Sequence, residues 1–361
     1  MRILHVDPER GWGGGEVQVL ALLRELAARG HQSTLAADPA GRLAPAAAAL
    51  GIPVRPLRIA NHLDVLAGLR LRRLVPGHDV VHFHTARAHA LAPLCGGRGA
   101  RRVVTRRMDY VPAGGPWARW LYNRAVDVVI AISEGVRAAL LRGGVRPERV
   151  CVVPSGVDLE RLAASSDARP RMRSAWEVGP EDVVVLVPGA LERRKGHAVL
   201  LDAATRLTAS GERLPRLRYV FCGEGMERAA LVHAAAPLGS AVRFEGFRAD
   251  IGACLAAADV VALPSLNEGL GVAALEGAAA ARPVVASRVG GLVEAVADGE
   301  TGLLVAPGDA AALAAALARL AGDAPLRARL GAAGRARVVA RFSLARMAEG
   351  TLACYGGPPC A

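Results

Sequence analysis

Short apolar runs ending in a glycine or a polar turn recur along this chain, and stretches of helical periodicity separate them. The first set is "RILHVD" (2–7), "QSTLAAD" (32–38), "DVVHFH" (79–84), "RRVVT" (101–105) and "DVVIAIS" (127–133). After "VCVVPSGVD" (150–158) comes a polar stretch rich in Arg and Ser up to about residue 175. The pattern then restarts with "DVVVLVPG" (182–189), "RYVFCGEG" (218–225), "AVRFEGF" (241–247), "DVVALPS" (259–265), "RPVVASRVGG" (282–291) and "GLLVAP" (302–307). Strands that are apolar throughout, with helices between them, form parallel sheets covered on both faces. The restart predicts two doubly wound α/β units, 1–158 and 159–341, and 361 residues suit two cores better than one. The amphipathic stretch within 342–361 is expected to pack back on the first unit. In such sheets ligands sit at the carboxyl ends of the strands, so the loops there are the places to look for chemistry.

Charge is distributed unevenly over the two halves. Residues 1–158 carry 22 arginines against 12 carboxylates, a net +10, whereas the remainder nets only +2. This asymmetry suits an anionic partner such as a membrane face or a lipid phosphate, although an arginine-rich composition alone also makes basic surfaces. The absence of aromatics interleaved with the arginines argues against nucleic acid. No run reaches the ~18 apolar residues of a membrane span. "MRILHV" has no apolar h-region behind it, so no secretory signal is read there. Cys95, Cys151, Cys222, Cys254, Cys354 and Cys360 show no metal-site spacing, which points to reduced thiols and a cytoplasmic protein.

Three loops hold candidate chemistry. "GWGGGE" (11–16) lies between the first strand and the first helix, where backbone amides can hold an anion, but a tight turn explains it equally well. It does not complete the dinucleotide fingerprint, and neither does "GEGMER", so an oxidoreductase is not supported. "GALERRKGHAVLLDA" (189–203) holds Lys195, the only lysine in the chain. In "PSLNEGLGVAALEGAAAARPVVASRVGGLVE" (264–294), Glu268 and Glu276 are eight residues apart, with Gly269 and Gly271 exposing amides between them. Carboxylates repel phosphate but accept hydrogen bonds from hydroxyls, so amides, an ammonium and two carboxylates together suit a sugar nucleotide.

The 264–294 segment resembles the signature of family 4 retaining glycosyltransferases, whose E-x7-E hallmark falls on Glu268 and Glu276. "GGGE", "VVPSGVD", "RRKGHAVLLDA", "FCGEGMERAAL" and "FEGFRADIGACLAAADVVALPS" match further family segments in the same order. The resemblance covers most of the chain and implies the GT-B fold: two Rossmann-like domains facing across a cleft, the first binding acceptor and the second a nucleotide-sugar donor. It implies that Lys195 neutralises the donor diphosphate, that Glu276 binds the ribose and that Glu268 touches the transferred sugar. The amides of Leu270 and Gly271 would meet its phosphate. Gly14 and Gly15 would close on the diphosphate from the other domain, and the backbone at Phe247 and Arg248 would frame the base. UDP is the donor nucleotide that family habit suggests. The resemblance implies no metal cofactor and a front-face displacement, while the basic first half suggests peripheral contact with the inner face of an anionic membrane and an envelope glycan, lipid-linked or lipid acceptor.

The chain departs from the family at two places. The Gly-Arg pair expected before the lysine segment is Gly189-Ala190, which leaves Arg194 as the better source of the second positive charge. "VVTRRMDY" places Arg107 where many members have a histidine near the reacting carbon, and arginine stays protonated at neutral pH. Arg107 is then a ligand for donor phosphate or an anionic acceptor. "HFHTARAH" adds His84 and Thr85 as acceptor-side candidates, with Asp109 beyond Arg107; a structural role for the histidines or a metal site are the alternatives, and no third ligand is evident beside His82 and His84. The two departures leave a catalytically degenerate nucleotide- or glycan-binding protein as the second reading.

Overall fold

The computed structural model describes residues 1–96, 99–112, 115–211 and 214–357. The chain divides into two compact units, Met1–Gly156 with the C-terminal segment from Leu344, and Val157–Ser343.

The first unit is built on β1 (Arg2–Asp7), β2 (Gln32–Ala37), β3 (Val54–Pro56), β4 (Val80–Phe83), β5 (Arg101–Arg106), β6 (Val128–Ala131) and β7 (Val150–Val152). These form one sheet in the order β3-β2-β1-β4-β5-β6-β7, and every pairing is parallel. The chain moves outward from β1 to β3 and then returns to β4 on the other side of β1. This reversal opens a crevice at the carboxyl ends of β1 and β4. β3 has no counterpart among the apolar runs: Val54-Arg55-Pro56 is short and ends in a proline, which is tolerated because the strand lies at the sheet edge.

The second unit repeats the plan with β8 (Val183–Pro188), β9 (Leu217–Cys222), β10 (Val242–Gly246), β11 (Val260–Leu263), β12 (Val284–Ser287) and β13 (Gly302–Val305). Its order is β10-β9-β8-β11-β12-β13, again all parallel, so the reversal falls between β8 and β11. Val185, Val187, Phe221 and Val260 of the sheet are buried against Leu200, Leu313 and Leu317 of the covering helices.

The terminal helix Leu344–Gly356 belongs to the first unit, where Leu344, Met347 and Tyr355 join Ile3, Leu22, Leu26 and Val103 in one core cluster. Gly350 lies so close to Val153 that an added Cβ would fall 2.9 Å from its Cγ1. Residues 358–361 of the predicted C-terminal segment, Cys360 among them, lie outside the described residues. Cys95, Cys222, Cys254 and Cys354 are free and buried. No helix among the described residues is long and apolar enough to cross a membrane.

Met347→Ala removes a buried side chain from the seam between the terminal helix and the first sheet. Urea unfolding is expected to show a loss of about 2–4 kcal/mol. A change under about 0.5 kcal/mol would show that this helix contributes little to the unit.

Candidate functional site

In the second unit the loops after β8 and β11 meet at the strand-order reversal. After β8 the chain passes Gly189, makes a single tight turn over Arg193–Lys195, and enters the helix His197–Ala209 through Gly196. Gly196 is left-handed (φ +64°), and a Cβ there would sit 1.9 Å from the Pro264 carbonyl oxygen. Only glycine permits both that conformation and that approach. The contact lets the Arg194 carbonyl accept the Leu266 N–H at 2.7 Å, which fixes the two loops together.

Lys195 and Glu268 come together across this junction. Lys195 Nζ donates to Glu268 Oε2 at 2.5 Å, with both side chains largely buried, and Ser265 Oγ donates to the same oxygen at 3.2 Å. A third loop supports the first. The Leu191 N–H donates to the Glu224 carbonyl at 2.8 Å, and Cβ atoms at Gly223 and Gly225 would fall 1.9 and 2.3 Å from the carbonyls of Gly189 and Leu191. Leu270 is buried, and Gly271 caps the helix Val272–Ala279 in the left-handed conformation (φ +81°). Their amides therefore precede the electropositive end of that helix.

Glu276 lies one turn into the helix and pairs with Arg161, a residue of the polar stretch 159–175. Burial raises the Glu276 carboxyl above its usual range, and Arg161 works against that shift. Arg194 is tied to its neighbour Glu192 at 2.7 Å, so its charge is already partly answered. Phe247 and Arg248 follow β10 at the sheet edge. Phe247 is exposed, while Arg248 is held by Glu245 at 2.9 Å and Asp250 at 2.7 Å.

The first unit gathers a second group of residues at its own reversal. Gly14 and Gly15 open the helix Gly14–Ala28, and Glu16 accepts the Gly13 N–H at 2.7 Å, closing a capping interaction. Gly15, His84, Thr85 and Arg107 line one cavity with Asp7, Glu16, Arg106 and Tyr110; Asp109 is not part of the lining. Thr85 also caps the helix Ala86–Ala90, accepting the Ala88 N–H at 3.2 Å.

The histidines have a third member that the sequence did not reveal. His5 of β1 joins His82 and His84, with one ring nitrogen from each within 4.8 Å of the others. Hydrogen bonds account for most of these nitrogens. His5 Nδ1 meets His84 Nε2 at 3.0 Å, and His82 meets Tyr355 Oη at 2.6 Å and Thr105 Oγ1 at 2.7 Å. Burial pushes His5 down to about 3 and holds His82 and His84 well below the usual histidine range, with Arg107 adding to the shift of the latter two. The cluster is thus a neutral hydrogen-bonded network linking β1, β4, β5 and the terminal helix.

Asp7, Arg106, His5, Ser265 and Arg161 are site residues that sequence reasoning missed. Asp7 and Arg106 each end a strand at the carboxyl edge, and that position was the only available signal. His5, Ser265 and Arg161 acquire their partners through the fold alone.

The sequence model described as Glycosyl transferases group 1 matches residues 168–337, and that of Glycosyltransferase Family 4 matches residues 12–161. The putative glycosyltransferase EpsD of Bacillus subtilis is 34% identical over 75% of this chain and 74% of its own length. The GDP-mannose-dependent alpha-(1-6)-phosphatidylinositol monomannoside mannosyltransferase of Mycolicibacterium smegmatis is 35% identical over 74% of each. Some other relatives are matched over a shorter share, one at 41% identity over 49% of its length. Anabaena HepE, crystallised with UDP and glucose, superposes with a TM-score of 0.87 over 98% of this chain and 99% of that one, at 22% identity. That likeness gives the two-sheet GT-B architecture.

The buried histidines set a direction for pH dependence. Unfolded histidines titrate near ~6.5, whereas His5 and His89 are pushed down to about 3 and His197 to about 4, in each case mainly by burial. Below the unfolded value the unfolded chain binds protons that the folded chain refuses, so stability falls with pH by about 1.4 kcal/mol per unit for each such group. Asp7 works the other way, because burial raises it to about 7 and the folded chain gains a proton first. The histidines outnumber it. Denaturant unfolding is expected to lose about 3 kcal/mol or more between pH 7 and 5.5, and a flat profile would contradict neutral buried histidines.

Proposed function

Since the chain belongs to the family 4 glycosyltransferases, we propose that it moves a sugar, with retention of anomeric configuration, from a UDP-sugar to a glycan, lipid-linked or lipid acceptor of the cell envelope. The observation that carries this reading is the buried Lys195–Glu268 pair at the β8/β11 reversal. Lys195 presents a compact ammonium for a diphosphate oxygen, and Glu268 holds it in place while offering its remaining lone pairs to sugar hydroxyls. The amides of Leu270 and Gly271 receive the phosphate. Glu276, on the same helix, binds the ribose, with Arg161 setting its position. Arg194 supplies supporting charge, and the backbone at Phe247 and Arg248 frames the base. Gly14 and Gly15, at a helix N-terminus, offer amides to the diphosphate.

In this reaction the bond from the anomeric carbon to the diphosphate oxygen breaks, and the acceptor oxygen bonds to the same face of that carbon. The acceptor proton leaves with the diphosphate. Stabilising the charge that develops on the leaving phosphate is then the main contribution of Lys195 and the helix amides. The first unit takes the acceptor, and no resident metal enters the scheme.

The first unit also supplies a surface for an anionic membrane. The helix Val65–Leu74 exposes Leu66 and Leu69 beside Arg70, Arg72 and Arg73, and the helix Pro116–Asn123 exposes Trp117 and Trp120, stacked at 5.0 Å. Exposed tryptophans beside arginines suit the headgroup layer. The lipid acceptor in the mycolicibacterial relative's name accords with this reading.

Thermal shift with UDP, GDP, ADP and CMP, free and sugar-linked, is expected to single out UDP, with Lys195→Ala weakening its binding about 10-fold or more. Nucleotide binding without release of UDP from any UDP-sugar would instead support the binding-protein reading. In flotation assays the protein is expected to follow phosphatidylglycerol vesicles and not phosphatidylcholine vesicles, and Trp117→Ala/Trp120→Ala is expected to abolish the association. Equal binding to both vesicles would overturn the membrane assignment.

A further inference from the structure

The first unit's cavity has a volume of about 180 Å³ and lies where β1, β4 and β5 end. Arg106 and Arg107 are among its lining residues. Arg106 is only 6% exposed, yet its Nε has no hydrogen-bond partner among the described residues, and neither has the Nε of Arg107. Arg106 rests against the rings of Tyr110 and Tyr122, at 5.0 and 5.8 Å from their centroids, and no carboxylate pairs with it among the described residues. A cation that is buried and short of acceptors costs several kcal/mol by general estimates. Asp7 and Glu16 lie near enough to Arg107 to favour its charge.

Two carboxylates also line the cavity, and each accepts one backbone N–H. The Glu16 carboxylate accepts the Gly13 N–H at 2.7 Å. Asp7 accepts the Glu9 N–H at 3.1 Å, and burial raises it to about 7, so near neutral pH a large fraction carries a proton that it can donate. His84 adds another group: its Nδ1 is buried without a partner, while its Nε2 is engaged by His5. When Ser33 donates to His5 and His5 to His84, that Nδ1 carries a proton. Arg106, Arg107 and His84 therefore leave spare hydrogen-bond donors at this cavity, two of them charged, and these groups outnumber the two carboxylates beside them.

We propose that this cavity binds an anionic group, a carboxylate or a phosphate, borne by the acceptor sugar, with Arg106 and Arg107 as its principal donors. The inference rests on the first unit being the acceptor side. It gives Arg107, which stands where many relatives have a histidine, a role in selecting the acceptor. A guanidinium fork matches a carboxylate or phosphate with two parallel hydrogen bonds, which a neutral hydroxymethyl group does not offer.

The test is calorimetric titration of the full chain, with and without saturating UDP, using glucose, glucuronate, glucose 6-phosphate and inorganic phosphate. One or both of the anionic sugars are expected to bind about 10-fold or more tightly than glucose, and the comparison of glucuronate with glucose 6-phosphate tells carboxylate from phosphate. Tighter binding of the preferred anionic sugar than of inorganic phosphate supports a sugar-borne anion over a free one. Arg107→Gln is expected to erase the preference, Arg107→Lys to keep part of it, and both to leave UDP affinity within about twofold. Equal binding of glucose and the anionic sugars, or binding of none of them, overturns the proposal. So does a loss of UDP affinity in Arg107→Gln, which would assign the arginine to the donor. Failure of the wild type to bind UDP counts against the proposed donor, not against the anion site, which the titrations without UDP read independently.

Discussion

Parallel pairing of β8 with β11 is the constraint on which the donor site depends. The chain runs from β8 out to β10 and must return past β8 to lay down β11, so the two loops at that reversal have no strand between them. Everything proposed for Lys195 follows from this adjacency. Gly196 lets one loop settle on the carbonyl of Pro264 in the other, Arg194 and Leu266 join them by a backbone hydrogen bond, and the ammonium meets Glu268 across the seam. A lysine held this way has little rotamer freedom left to lose on binding, which is the physical content of preorganisation.

The first unit uses the same topology for a different chemistry. Its reversal lies between β1 and β4, and the residues there are His5, Asp7, His84 and, one strand over, Arg106 and Arg107. Burial, with Arg107 adding to it at His82 and His84, keeps the histidines neutral, and the histidines in turn tie three strands to the terminal helix through Thr105 and Tyr355. The last helix in the sequence thus stabilises the floor beneath the first unit's cavity.

Much of this was legible from the residue pattern. Apolar runs such as "DVVVLVPG" and "DVVALPS" are buried on both faces, so they announce themselves as parallel strands whatever their partners. Lys195 is marked by being the only lysine in the chain, and Glu268 by its eight-residue spacing from Glu276. Other features depend on contacts that no local pattern encodes. β3 is too short and too exposed to show a period, Arg161 reaches Glu276 from 115 residues away, and His5 looks like any strand residue until β4 is laid beside it. Glu268 and Glu276 each take their own cation, Lys195 for one and Arg161 for the other, and the pairing with Arg161 has no signal in the spacing.

Hydrogen–deuterium exchange with and without a UDP-sugar tests the central claim most directly, because it locates the donor without any mutation. Slower exchange centred on the loops 193–196 and 266–271, together with the start of the helix Val272–Ala279, is the result expected from a donor held at the β8/β11 reversal. Protection elsewhere with those loops unchanged would contradict it.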